Sequence, residues 1–317
     1  MKLTAYGVDE YVSSCIQLAT LLEVSATPKP GNVHRTANFD DTRYEHFLAS
    51  SIAIGPILRR ASRLGAVVSS GEIGFEQVGV GRLINEGVSA MLSSQRGGNT
   101  ILGTILLLIP ISIAAGYVWS QLSPNLDKLR KTIAEVTHSA TPHDAVHVYD
   151  AIRISGAGGL GSVEKLDVMK PSSRSEIMSS GISLLEIFQM SSEYDSISSE
   201  WTHNFRITFG IGYRCFAKQI NEGSDCNTAA VHTFLEILSK VPDTLVARKA
   251  GEPTAKELSN SAEHILSMGG LRSPAGRKRL EELDMRLRAS GHKLNPGTTA
   301  DLTASSLTIA VLEGYVP

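Results

Sequence analysis

Residues 101–119 read ILGTILLLIPISIAAGYVW, a run without a single charged side chain and close to the length of a membrane span. It is one such run in a chain otherwise built of amphipathic segments. Pro110 interrupts its middle, no basic cluster flanks it, and the polar GGNT of residues 97–100 precedes it. Those features predict a kinked central helix enclosed by other helices rather than by lipid. Outward from it, apolar residues recur at helical spacing over 12–22, 44–64, 75–92, 126–137 and 145–154. The same spacing recurs over 177–190, 200–219, 228–238, 254–268, 275–289 and 299–313, and strand-type alternation is nearly absent. The expected fold is all-α, a single large domain over 1–317 with a central buried apolar helix.

With 317 residues, 42% hydrophobic and 20% charged, and a formal net charge of -2, the chain has no global bias toward nucleic acid or an anionic membrane surface. Any anionic substrate must meet a local basic cluster. Three cysteines, Cys15, Cys215 and Cys226, are an odd number without metal-ligand spacing and read as buried thiols in a reducing cytoplasm. Lys2 is followed by Asp9 and Glu10 before any long apolar run, which is not the layout of a secretory signal. A soluble cytoplasmic protein is expected, with self-association left open. The longest irregular stretch, 155–174, carries GAGGLG and KPSS and reads as a functional loop or a boundary.

The chemistry is concentrated in turns. EVSATPKPGNVHR, residues 23–35, ends a helical run and delivers Glu23, Lys29, His34 and Arg35 into one loop, stiffened by Pro28 and Pro30 and turned by Gly31. A plain rigid connector is the alternative. GGNTILG, residues 97–103, places Asn99, Thr100 and Gly103 at the start of the apolar helix, where free N–H groups suit phosphate. GAGGLGSVEKLDV, residues 156–168, follows a helix rather than a strand and lacks the lysine-serine/threonine pair of a P-loop, so neither a Rossmann nor a P-loop nucleotide site is expected of it. In DTLVARKAG, residues 243–251, one helical turn brings Asp243 and Arg248 toward the same face, as an ion pair or as ligands. NPGTTADLTA, residues 295–304, makes a turn at Pro296 and Gly297, caps a helix with Thr298 or Thr299, and sets Asp301 in its first turn. His138, His143, His147 and Asp144 mimic a metal cluster, but DAV between the last two histidines lacks a zinc protease's glutamate.

Taken in order, PKPG, NT with a following glycine, a glycine-rich loop, DTxxxR and PGxxADL resemble the triphosphoribosyl-dephospho-CoA synthase family over residues 20–310. The match falls on Glu23, Val24, Pro28, Lys29, Pro30 and Gly31; on Asn99, Thr100 and Gly103; on Asp243, Thr244 and Arg248; and on Pro296, Gly297, Ala300, Asp301 and Leu302. The resemblance implies an all-α transferase that moves triphosphoribose from ATP to a ribose hydroxyl of dephospho-CoA and releases adenine. Asn32, Val33 and His34 stand where bacterial members read LVD, Leu102 replaces a basic residue, and the glycine-rich loop lacks an arginine, with its acids at Glu164 and Asp167. These departures resemble an archaeal branch associated with tetrahydromethanopterin-using organisms.

Such a reaction develops positive charge at C1′ and needs a carboxylate there and at the acceptor proton. Glu23 and Asp301 are the expected catalytic residues, with His34 protonating the departing base or bonding a phosphate. Lys29, Gly31, Arg35, Asn99, Thr100, Gly103, Arg248 and Gly297 are expected around the triphosphate, and Asp243 on Mg²⁺. The alternatives are phosphoryl or nucleotidyl transfer in tetrahydromethanopterin or related cofactor synthesis, and nucleotide binding without turnover.

Overall fold

The computed structural model describes residues 7–158 and 166–317. Its first helices are α1 (Val8–Ser25), α2 (Tyr44–Ala53), α3 (Gly55–Ser69), α4 (Val80–Ser94) and α5 (Leu102–Trp119). Then come α6 (Leu126–His138), α7 (Pro142–Ser155), α8 (Ser173–Ser180), α9 (Leu184–Ser191) and α10 (Ser196–Thr202). The chain closes with α11 (Arg214–Asn221), α12 (Cys226–Lys240), α13 (Thr244–Ala250), α14 (Glu252–Ser267), α15 (Pro274–Arg288) and α16 (Gly297–Glu313). Among the described residues there is no strand, only an isolated bridge between His34 and Ala37. The all-α expectation holds. Glu164 and most of the glycine-rich loop lie outside the described residues.

A helix apolar on every face must be enclosed. Of the 18 residues of α5, 15 are buried, under α3 along its length and under α1, α4, α6, α10 and α16 elsewhere. The approach of α3 is set by two glycines: a Cβ on Gly65 would lie 1.9 Å from the Ile113 carbonyl oxygen, and one on Gly116 1.9 Å from that of Ser62. Only backbone fits at this crossing. Pro110 has no N–H to offer the carbonyl of Leu106, four residues earlier, and the fully buried Trp201 of α10 fills that vacancy with its indole N–H at 3.0 Å. One continuous core runs from Tyr11 to Leu312, and the Tyr11 hydroxyl donates to the Leu312 carbonyl at 3.0 Å, joining α1 to α16.

Two long periodic runs are broken where periodicity gives no warning. The 44–64 run divides at Ile54, because Pro56 begins a new helix in α3. The 200–219 run stops at Thr202; Asn204 and Phe205 adopt left-handed backbone, and a π-helical turn, Thr208–Tyr213, precedes α11. The buried Glu200 carboxylate causes this, accepting from the N–H groups of Ile207 at 2.7 Å and Thr208 at 2.8 Å.

Trp201→Phe should cost about 1–3 kcal/mol, because the Leu106 carbonyl then stays buried and unsatisfied. In a Pro110→Ala background, where residue 110 regains its N–H, the same substitution should cost clearly less. Urea unfolding of the four proteins measures the coupling.

Candidate active site

A cavity of about 680 Å³ opens where the end of α1, the start of α5, the end of α13 and the start of α16 meet. Glu23, Asn99, Thr100, Gly103, Arg248, Gly297 and Asp301, scattered through the sequence, all line it. At its centre the Thr104 hydroxyl donates to Asp301 Oδ1 at 2.5 Å across 197 positions of chain. Gly103 makes this contact possible: a Cβ there would fall 2.1 Å from Asp301 Oδ2. The glycine of the NTxxG motif therefore makes room for a carboxylate. Asn99 accepts from the Leu102 N–H at 3.1 Å, and Thr100 shares a hydrogen bond with Ser50 at 2.8 Å, so both shape the first turn of α5.

Burial pushes the Asp301 carboxyl up to about 7; the Thr104 hydroxyl opposes that rise and the negative charge of Glu23 adds to it. Glu23 is itself buried against Lys29 in a direct ion pair. Burial drives Glu23 upward and Lys29 downward, while the mutual attraction of the pair resists both. Lys29 is 1% exposed and absent from the cavity wall, so it holds Glu23 in place from behind.

Gly31, His34, Arg35 and Asp243 also stand off the wall. Asp284 of α15 accepts from the Gly31 N–H at 2.8 Å and from Arg288 Nε at 2.9 Å, and its other oxygen lies 3.5 Å from His34 Nε2. Arg288 also donates to the Asn32 carbonyl. Thr27 and Thr36 hydroxyls lie 3.1 Å from His34 Nδ1. The bonds of Asp284 to Gly31 and of Arg288 to Asn32 thus fasten the PKPG loop to α15, with the imidazole packed beside them, and burial lowers its pKa. Arg35 is exposed and reaches Asn227 at 3.2 Å.

Asp243 uses one oxygen to cap α13 at the Val246 N–H, 2.9 Å away. The other accepts from the Thr299 N–H at 2.7 Å and hydroxyl at 2.8 Å. It clamps α13 to the start of α16. Arg248 pairs with Asp195 at 2.6 Å rather than with Asp243, and Asp195 also caps α10 through Ile197 and Ser198. Asp144 caps α7 together with Thr141 and receives the Gly81 N–H at 2.8 Å. Among the described residues no group of three or more His, Cys, Asp or Glu could hold a metal ion.

Sequence reading missed Thr104, Asp195, Lys249 and Asp284. Thr104 sits beside the glycine of a quoted motif, and Asp195 before SIS carries an N-cap signal. For Asp284, on a charged helix remote in sequence, no local signal exists.

The profile of the family described as ATP:dephospho-CoA triphosphoribosyl transferase (CitG) matches residues 9–317. The chain belongs to this family. A Pseudomonas fluorescens protein named probable 2-(5''-triphosphoribosyl)-3'-dephosphocoenzyme-A synthase is 27% identical over 299 residues, covering 93% of this chain and 89% of the relative. A Pseudomonas aeruginosa protein of the same name is 39% identical over 85 residues, 27% of this chain and 28% of its own. The crystal structure of an Archaeoglobus fulgidus protein assigned as a triphosphoribosyl-dephospho-CoA synthase superposes with a TM-score of 0.61 at 26% identity, covering 85% of this chain and all of that one. This member of the family is thus a transferase of the triphosphoribosyl-dephospho-CoA synthase type, and the archaeal structure agrees with the resemblance to an archaeal branch.

Its burial gives Lys29 a structural role beside any part in binding. Lys29→Ala leaves Glu23 buried without its partner and should destabilise the protein by about 3–5 kcal/mol at pH 8. Glu23→Gln combined with Lys29→Met should recover much of that loss, as denaturant titration will read out.

Proposed function

We propose that the cavity transfers the triphosphoribosyl group of ATP to a ribose hydroxyl of dephospho-CoA with release of adenine. The observation that carries this reading is the meeting of two buried carboxylates, Asp301 and Glu23, on the wall of one cavity, with Asp301 poised at about 7. In the reaction the C1′–N bond of ATP breaks as a C1′–O bond forms. Ionised Asp301 takes the acceptor's proton, and Glu23, held by Lys29, faces the positive charge that develops at C1′. Adenine leaves with the bonding pair and takes its proton from water, since His34 stands behind the loop. Among the described residues, Arg248 and Lys249 are the basic side chains on the wall suited to phosphate, apart from His292.

Among the described residues the wall carries five carboxylates, Glu23, Asp41, Asp167, Asp195 and Asp301, against Arg248 and Lys249. Two cations cannot neutralise a triphosphate beside five acids. With the oxygens of Asp243 already engaged, the residues do not make a dedicated cage, and Mg²⁺ fits better as a companion of ATP than as a resident ion. Enclosure of α5 inside the fold, together with a near-neutral chain, supports a soluble cytoplasmic protein acting on small nucleotides.

Incubation with Mg-ATP and dephospho-CoA should yield free adenine and a triphosphoribosylated product by mass spectrometry; absence of both would falsify the reading. Asp301→Asn should cut turnover roughly 10²–10⁴-fold while ATP affinity stays near normal. Because the raised carboxyl must be ionised to act, wild-type turnover should climb as pH rises through about 7 and level off above it. Gly103→Ala should likewise abolish turnover with the helical circular dichroism unchanged, since the added methyl displaces Asp301. Metal analysis of gel-filtered protein without ATP should find no stoichiometric Mg²⁺.

A further inference from the structure

We infer that the wall formed by α9, α10 and the end of α7 is the subsite for the uncharged arm of the acceptor, the amide-bearing chain that ends in a thiol beyond the diphosphate of dephospho-CoA. The inference deepens the proposed reaction and rests on it for the identity of the acceptor. Ile152, Ile187, Phe188, Met190, Tyr194 and Ile197 supply this wall. Met190 and Tyr194 line the cavity and yet are 59% and 57% exposed, large apolar surfaces that no part of the described chain covers. Ser191 donates to Ser198 at 2.8 Å on the same wall, placing hydroxyls within an otherwise apolar surface where amides could bond.

The backing is rigid. Phe188 packs edge-on against Trp201, ring centroids 5.0 Å apart, and Trp201 is pinned to the Leu106 carbonyl of α5. A capping box between Ser183 and Glu186 fixes the start of α9.

Helix α13 sets the order of chemistry along the cavity. Its first residue follows Asp243, which is clamped to the start of α16 where Asp301 stands. Its far end delivers Arg248 to Asp195, the cap of α10, immediately after Tyr194. Carboxylates, then a guanidinium, then an uncharged wall follow one another. Nucleoside, diphosphate and uncharged arm follow one another in dephospho-CoA in the same order. ATP has nothing beyond its phosphates, so past the guanidinium only the acceptor has an uncharged group to lay on this wall.

Calorimetric titration with dephospho-CoA and with ADP, which lacks the arm, tests this on the wild type and on a Met190→Ser/Tyr194→Ser double variant. Both side chains are exposed, so the fold should tolerate the change. Affinity for dephospho-CoA should drop about tenfold in the variant, from lost apolar burial, and affinity for ADP should not change. Unchanged dephospho-CoA affinity, or an equal loss for both ligands, would overturn the assignment. A selective loss in a protein that forms no triphosphoribosylated product would uphold the subsite while sinking the reaction proposed above.

Discussion

Helix α5 is apolar on every face, and the need to enclose it organises the molecule. Neighbouring helices must cover it on all sides, and they can do so closely only because Gly65 and Gly116 let two backbones touch. The same helix carries the site at its first turn. Gly103 and Thr104 begin α5 and hold Asp301 of α16, so the deepest part of the core and the Asp301 carboxylate are joined through one rigid element. Trp201 extends that coupling: by completing the hydrogen bond that Pro110 cannot make, it ties α10, and with it the uncharged wall of the cavity, to the centre of the core.

Charge in the cavity is arranged by burial. Lys29 is hidden behind Glu23, and its positive charge opposes the upward pull that burial exerts on that carboxyl. Asp301, bonded by Thr104 and facing no cation as close as the one Glu23 has, sits near neutrality and can lose or gain a proton at working pH. Two carboxylates in one cavity are thereby given different characters by their neighbours, one buttressed by a cation and one poised to titrate. The basic groups that face the cavity, Arg248 and Lys249, are both fastened, the first to Asp195 and the second to the Asn295 side chain and the His292 carbonyl. They are placed before any ligand arrives, which lowers the ordering cost of binding a polyanion.

Much of the fold was legible because an uncharged run and helical periodicity leave few alternatives. The all-α architecture, the burial of α5 and most helix positions follow from spacing and from proline and glycine punctuation. The ordered motifs likewise pointed to the cavity residues Glu23, Asn99, Gly103, Arg248 and Asp301, since each lies at a helix end beside a turn. Their family resemblance was carried by motif order, which a single chain displays in full.

Depth and pairing were decided by the tertiary structure alone. Sequence places Lys29 and His34 in a stiff charged loop but cannot say on which side of that loop each will lie. Helix α15, some 250 residues away, decides it by presenting Asp284 to Gly31 and His34. The same holds for Asp243, whose spacing from Arg248 suggested a shared face, and whose oxygens instead join two helices. The break before the π-helical turn depends on Glu200 turning inward to satisfy two backbone N–H groups. Local sequence determines backbone preferences within a few residues, whereas the partner of a buried charge is chosen by whichever distant element the core packs against it.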